Sequence, residues 1–142
     1  MRVKLELPKK FHFETTLSIR VSDLNYGAHL GNDSVLSLAH ESRVRFFLKL
    51  GVTERNFFNV GLIMADSVVM YKSQGFLNDN ILIRISVTEF RSHGFKIFYL
   101  LQKKDFNVDL AYVQTSMVCF DYLKNKILPL PNSFKDVVNE II

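Results

Sequence analysis

Apolar residues recur along this chain with two different periods, and each change of period marks where one kind of element gives way to another. Residues 11–22 are rich in β-formers, with Phe11, Phe13, Thr15, Thr16, Leu17, Ile19 and Val21. They predict a first strand, with Pro8 lying outside it. From 34 to 50 there is neither Gly nor Pro, and Leu36, Ala39, Arg43, Phe47 and Leu50 recur every three or four residues, the spacing of a helix. Asn32 or Asp33 can cap its start and Gly51 can end it. Val35, Leu38 and Phe46 lie off that stripe, so the helix is expected to be wrapped by other structure.

After a connection over 53–61 the period becomes two. Ile81, Ile83, Ile85 and Val87 alternate with Leu82, Arg84, Ser86 and Thr88, giving one greasy face and one mixed face. Four strands are predicted, over 62–72, 80–90, 95–103 and 109–122. The turns at 91–94 and 104–107 are short enough for hairpins, so the last three strands should be consecutive and antiparallel. Pro129 and Pro131 precede a short amphipathic tail over 133–142, expected to be helical. The simplest packing of this order is an α+β domain, a five-stranded antiparallel sheet curled around the long helix. Its far face or edge would stay partly apolar, which suggests a dimer.

Composition narrows this further. With 142 residues the whole chain, 1–142, reads as a single domain. Its 13 Phe and no Trp mean that Phe and Tyr fill the large spaces. Cys119 is the only cysteine, so an intrachain disulfide is excluded and a cysteine-based metal site has no support. No apolar run approaches the ~20 residues of a membrane span. A cytoplasmic protein without membrane insertion is expected. The net charge of +4 is spread along the chain, whereas nucleic-acid binders concentrate theirs on one face, so no nucleic-acid partner is expected.

Candidate chemistry gathers between the first strand and the helix. Residues 20–33 hold Asp23, Asn25, Tyr26, His29, Asn32 and Asp33 with Gly27 and Gly31. Asp23, Asn25, Asn32 and Asp33 can be turn and cap residues, or they can serve a ligand. A helix N-terminus offers unpaired N–H groups and the positive end of a dipole, an oxyanion site. His29 stands at its mouth, and Gly31 lets a carbonyl come close. Within the helix, Glu41 lies eight residues past Asp33, about 12 Å along the axis. A carboxylate that far into a wrapped helix must be used or paired, with Arg43, Arg45 or Arg20. His40 reads as a packed interior histidine. Asp66 shares strand parity with Met64, Val68 and Met70, so it interrupts an apolar face.

The run Arg20-x-x-Asp23-x-Asn25-x-x-x-His29-x-x-Asn32, followed by His40-Glu41-Ser42-Arg43-Val44-Arg45-Phe46-Phe47, resembles the loop and helix of hotdog-fold acyl thioesterases of the 4-hydroxybenzoyl-CoA thioesterase-like group. It also resembles the related loop of plant acyl-ACP thioesterases. The pattern there is Asp-x-Asp-x-x-x-His-Val-Asn-Asn, with a Glu-Ala-Arg block on the helix. The likeness covers the chain in element order and is strongest from Arg20 to Phe47; Gly61 through Lys72 looks like that family's second strand. Two departures stand out. Asn25 takes the place of a catalytic Asp, and Gly31 replaces the first Asn of the pair.

The resemblance implies hydrolysis of an acyl thioester of coenzyme A or acyl carrier protein by a homo-oligomer, a dimer or tetramer, with no cofactor or metal. Another branch of these enzymes places a catalytic Glu two turns into the helix, eight residues past an amide that binds the thioester oxygen, the spacing of Glu41 from Asp33. Glu41 is therefore expected as base or nucleophile, with Asn25 and His29 positioning water or acyl group. Asp23, Gly31, Asn32 and Asp33 would bind the substrate. Asp66 would reach the cleft from a partner subunit or pair with an Arg across the interface. The alternative is a non-catalytic hotdog domain that binds acyl groups or a protein partner.

Overall fold

Alternation of side chains builds the sheet in the computed structural model, which describes residues 2–141. Its elements are β1 (Phe13–Ser18), α1 (Asn32–Lys49), β2 (Gly61–Tyr71), β3 (Asn80–Phe90), β4 (Gly94–Lys103), β5 (Val108–Asp121), β6 (Lys126–Ile127) and α2 (Asn132–Glu140), with a one-turn 3-10 helix at Val21–Asp23. The sheet order is β1-β3-β4-β5-β2, with the two-residue β6 added beside β5. Every neighbouring pair is antiparallel. This is the α+β hotdog arrangement, and β3, β4 and β5 are the expected consecutive hairpins. The expected strand over 11–22 is shorter, because the chain turns into the 3-10 helix at Val21. The expected tail helix ends at Glu140, and Ile142 lies outside the described residues.

The core lies between α1 and the concave face of the sheet. Val35, Leu38, Ala39, Phe46 and Phe47 of α1 meet Ile81, Ile83, Ile85, Ile97, Leu101 and Val113. At one end α2 inserts Phe134 among Phe57 and Phe95, with ring centroids 4.7 and 4.5 Å away. The helix is less enclosed than its apolar residues suggest. His40, Glu41, Val44, Leu48 and Lys49 are exposed in the single chain, so one long face of α1 is open.

Two details of α1 set up the site. Asn32 is its first residue and Gly31 its N-cap, and no side chain caps it, contrary to the expected cap at Asn32 or Asp33. A Cβ at Gly31 would meet only the tip of the Asp33 side chain, Oδ1 at 2.7 Å, which can swing aside, so the turn does not demand glycine there. At the other end Gly51, at φ 79°, takes the left-handed conformation. There Val52 N–H bonds to Phe47 O (2.9 Å) and Gly51 N–H to Leu48 O (3.0 Å), a Schellman closure.

The sheet's outer face is partly covered by the chain's own N-terminal segment, which leaves less of it for a partner than the sequence suggests. Leu5 and Phe11 pack on Phe98, Leu100, Tyr112 and Met70. Ser86 Oγ donates to Lys10 O (2.6 Å), and Val87 N–H donates to His12 Nδ1 (3.0 Å). β2 carries a bulge between Met64 and Asp66, which reverses its facing. Met64 pairs with Met117 on the helix side, whereas Asp66 pairs with Ser116 and points the other way. Asp66 therefore does not share a face with Met64. No helix among the described residues is long and apolar enough to cross a membrane.

Candidate active site

The loop from Arg20 to Gly31 is held mostly by bonds it makes with itself. Asp23 is buried. Its Oδ2 accepts Arg20 N–H at 2.8 Å, and its carbonyl accepts Gly31 N–H at 2.9 Å. It braces the entry to α1 through Oδ2 and its carbonyl, and it also lines the cleft on the β1 side of the helix. Asn25 Oδ1 accepts Gly27 N–H (2.9 Å) and His29 N–H (3.2 Å), and Asn25 N–H donates to His29 O (2.8 Å). The amide thus shapes the turn, with its NH2 still able to donate. Leu30 N–H donates to Gly75 O (2.8 Å), which ties the loop to the β2–β3 connection.

His29 lies with its ring 5.1 Å from that of Phe76. Its Nδ1 is buried without a hydrogen-bond partner, which leaves Nε2 as the nitrogen able to meet water or substrate. Beside it the first turn of α1 opens with no side-chain cap, so its leading backbone N–H groups are available to an oxyanion. Tyr71 OH, at the end of β2, donates to Asn32 O (3.1 Å) and fixes this turn against the sheet. Asn25, His29, Gly31, Asn32 and Asp33 come together at one junction, with Asp23 beneath.

A cleft opens on either side of the middle of α1. That on the β1 side, about 290 Å³, is lined by Arg20, Asp23, Ser37, Leu38, Glu41 and Arg45 among others. Glu41 is exposed here and bound by Arg45 Nε at 2.9 Å. Arg45 reaches on to Thr15 Oγ1 (2.8 Å). The expectation of a buried Glu41 fails, because the face of α1 that carries it is open; its pairing with Arg45 holds. Asp66 is exposed and lines neither cleft.

The second cleft, about 400 Å³, runs between α1, β2 and β5. Leu36, Ala39, Leu62, Met64 and Met117 line it, and Arg43, Glu54, His40 and Thr115 form its polar part. Arg43 is buried, with Nε 2.5 Å from Glu54 Oε1 and Nη1 2.9 Å from Tyr99 OH. Tyr99 OH bonds in turn to Thr115 Oγ1 (2.8 Å). His40 Nε2 stands 3.7 Å from Glu54 Oε2, and its side chain is exposed, not packed inside as expected. Burial alone would lower the Arg43 pKa, but Tyr99 and Glu54 outweigh it and hold it above the usual value. Burial is also the main reason the Tyr99 hydroxyl is raised. Sequence reasoning missed this network. Its one signal was Arg43 itself, a cation at a position of the apolar stripe. Cys119 is no rival nucleophile, since burial pushes its thiol up to about 11.

A curled antiparallel sheet around one long helix, entered through a His-bearing loop, is the hotdog fold. The model of the thioesterase-like superfamily matches residues 19–138, and the chain belongs to that family. Solved structures show the same fold. A 1,4-dihydroxy-2-naphthoyl-CoA thioesterase from Synechocystis is 17% identical, with TM-score 0.82 over 91% of this chain and 96% of that one. A hypothetical protein from Staphylococcus aureus, solved in complex with CoA, is 14% identical with TM-score 0.81, covering 97% of this chain and 87% of that one. The probable thioesterase YbaW from Escherichia coli is 16% identical with TM-score 0.76, covering 92% and 99%. A comparison with the curated proteins gives no match.

Proposed function

We propose that the protein hydrolyses acyl thioesters of coenzyme A or acyl carrier protein, as a homo-oligomer of at least two chains. The observation that carries this reading is the uncapped start of α1 beside His29. The N–H groups of Asn32 and Asp33 polarise the thioester carbonyl, and Gly31 leaves room for its approach. Glu41 lies about 12 Å along α1 from Asp33 of its own chain, so it serves the carbonyl held by the other chain of the oligomer. Water adds to the carbonyl carbon and gives its proton to Glu41, or Glu41 attacks, displaces the thiolate and forms an anhydride that water then hydrolyses. Collapse of the tetrahedral intermediate breaks the C–S bond and releases the thiolate. With a thiol pKa near ~8.5, that leaving group needs little help from an acid. Asn25, through its amide NH2, and His29, through Nε2, position the water or acyl group. Asp66 is assigned to contacts with a partner subunit. A CoA carrier is supported by the CoA complex of the Staphylococcus aureus neighbour.

The test is thiol release from a panel of acyl-CoA and acyl-ACP substrates by the parent, Glu41→Ala and His29→Ala. Both variants are expected to lose about 10²-fold or more in kcat; a Glu41→Ala variant with full rate removes Glu41 from the reaction. One observation favours a second reading, a domain that binds acyl groups without turnover: the amide of Asn25 is engaged by two backbone N–H groups and cannot take a proton. Acyl-CoA binding by calorimetry, with no thiol released, would establish it.

A further inference from the structure

The cleft between α1, β2 and β5 begins at Leu36, about one turn past the start of α1, and reaches Arg43, about 15 Å along the axis from Asp33. An acyl group whose carbonyl sits at the start of α1 can therefore extend along this cleft. Leu36, Ala39, Leu62, Met64 and Met117 make its walls aliphatic. In a chain with 13 Phe, no Phe, Tyr or Trp lines it, so an aromatic acyl group would find only the exposed imidazole of His40 to pack on. Met side chains adapt to a flexible chain.

The inner end is different. Arg43 has five N–H donors; Nε serves Glu54 and Nη1 serves Tyr99. Among the described residues no acceptor is found for Nη2, and that atom is not among the buried orphans, so it opens to the cleft. Thr115 Oγ1, bonded to Tyr99, adds a hydroxyl to the floor. The charges of Arg43 and Glu54 already balance, so a ligand carboxylate would bring an unmatched negative charge beside Glu54. A plain methyl end would leave Nη2 desolvated without an acceptor. A neutral group that both donates and accepts suits the floor.

We propose that this cleft binds the acyl group and that its floor, formed by Arg43, Glu54 and Thr115, selects an aliphatic acyl chain carrying a hydroxyl near its far end. The inference rests on the hydrolase reading of the site. Its test uses matched acyl-CoA sets of several chain lengths, each with a plain, an ω-hydroxyl and an ω-carboxyl member, beside benzoyl-CoA and hydroxybenzoyl-CoA. At the best-fitting length the ω-hydroxyl member is expected to exceed both others in kcat/KM by at least ~10-fold. That is below the ~10⁴ of fully enclosed hydroxyl-reading sites, because Glu54 is 29% exposed. Thr115→Val and Glu54→Gln, both nearly isosteric, should bring the ratio toward one. Equal rates across each set, a ratio unmoved in both variants, or a preference for the aryl substrates overturns the inference and leaves the hydrolase reading standing. Total inactivity on every member removes the hydrolase reading and this inference with it.

Discussion

The loop at the start of α1 and the cleft along its β2 side are both polar, yet they are assembled in opposite ways. In the loop, Asp23 bonds Arg20 three residues away, and Asn25 bonds Gly27 and His29 two and four residues away. In the cleft, Arg43 reaches Glu54 across 11 residues and Tyr99 across 56, and Tyr99 reaches Thr115 across 16. The loop is held by its own sequence, the cleft floor by the finished sheet. Damage to the floor should therefore weaken the whole fold, and damage to the loop should stay local.

The sharpest way to break that contrast is Arg43→Met. It leaves Glu54 and Tyr99 without their partner and should cost about 3 kcal/mol in urea unfolding, the lower end for a broken buried pair because Glu54 is 29% exposed. A loss below about 1 kcal/mol would show that the floor contributes little to the fold. Asn25→Ala removes two bonds from a solvent-exposed turn and should cost about 1 kcal/mol by the same measurement. Glu41→Gln weakens an exposed i,i+4 pair with Arg45 and should shift stability by less than about 0.5 kcal/mol, even where it abolishes thiol release.

The smallest effect belongs to another long-range bond, that of Val87 N–H to His12 Nδ1. Burial, with help from Lys10, holds His12 below its ordinary value of 6.5. A group depressed by folding contributes fully above its unfolded pKa and loses that contribution as pH falls through the folded one. The N-terminal segment should thus loosen from the sheet below pH 6.5. Amide exchange at Val87 is the measurement, and it should rise on acidification while the sheet's interior amides stay protected.

The sequence revealed what is local or periodic. The alternation of Ile81, Ile83 and Ile85 placed β3, and these residues are fully buried. The density of polar residues in 20–33 located the junction. Three things escaped. Glu41 looked buried because apolar residues surround much of α1, but which face a helix leaves open depends on how far the sheet curls. The N-cap falls at Gly31, one residue before Asn32, a boundary shift that polar composition around a helix start does not encode. Arg43 was counted with the stripe, and only the fold brings Tyr99 and Thr115 beside it.

The bulge in β2 has a consequence of its own. The strand carries two alternations in opposite phase, joined at Ala65. Before it, Leu62 and Met64 turn toward the helix; after it, Val69 does, while Asp66 and Met70 turn away. Deleting Ala65 would remove the bulge yet keep Leu62, Met64 and Val69 toward the helix and Asp66 and Met70 away from it, whereas pairing Ala65 regularly within the ladder would turn one half of the strand inside out. That one residue works as a phase shifter, letting a single strand serve a binding cleft at one end and a covered outer face at the other.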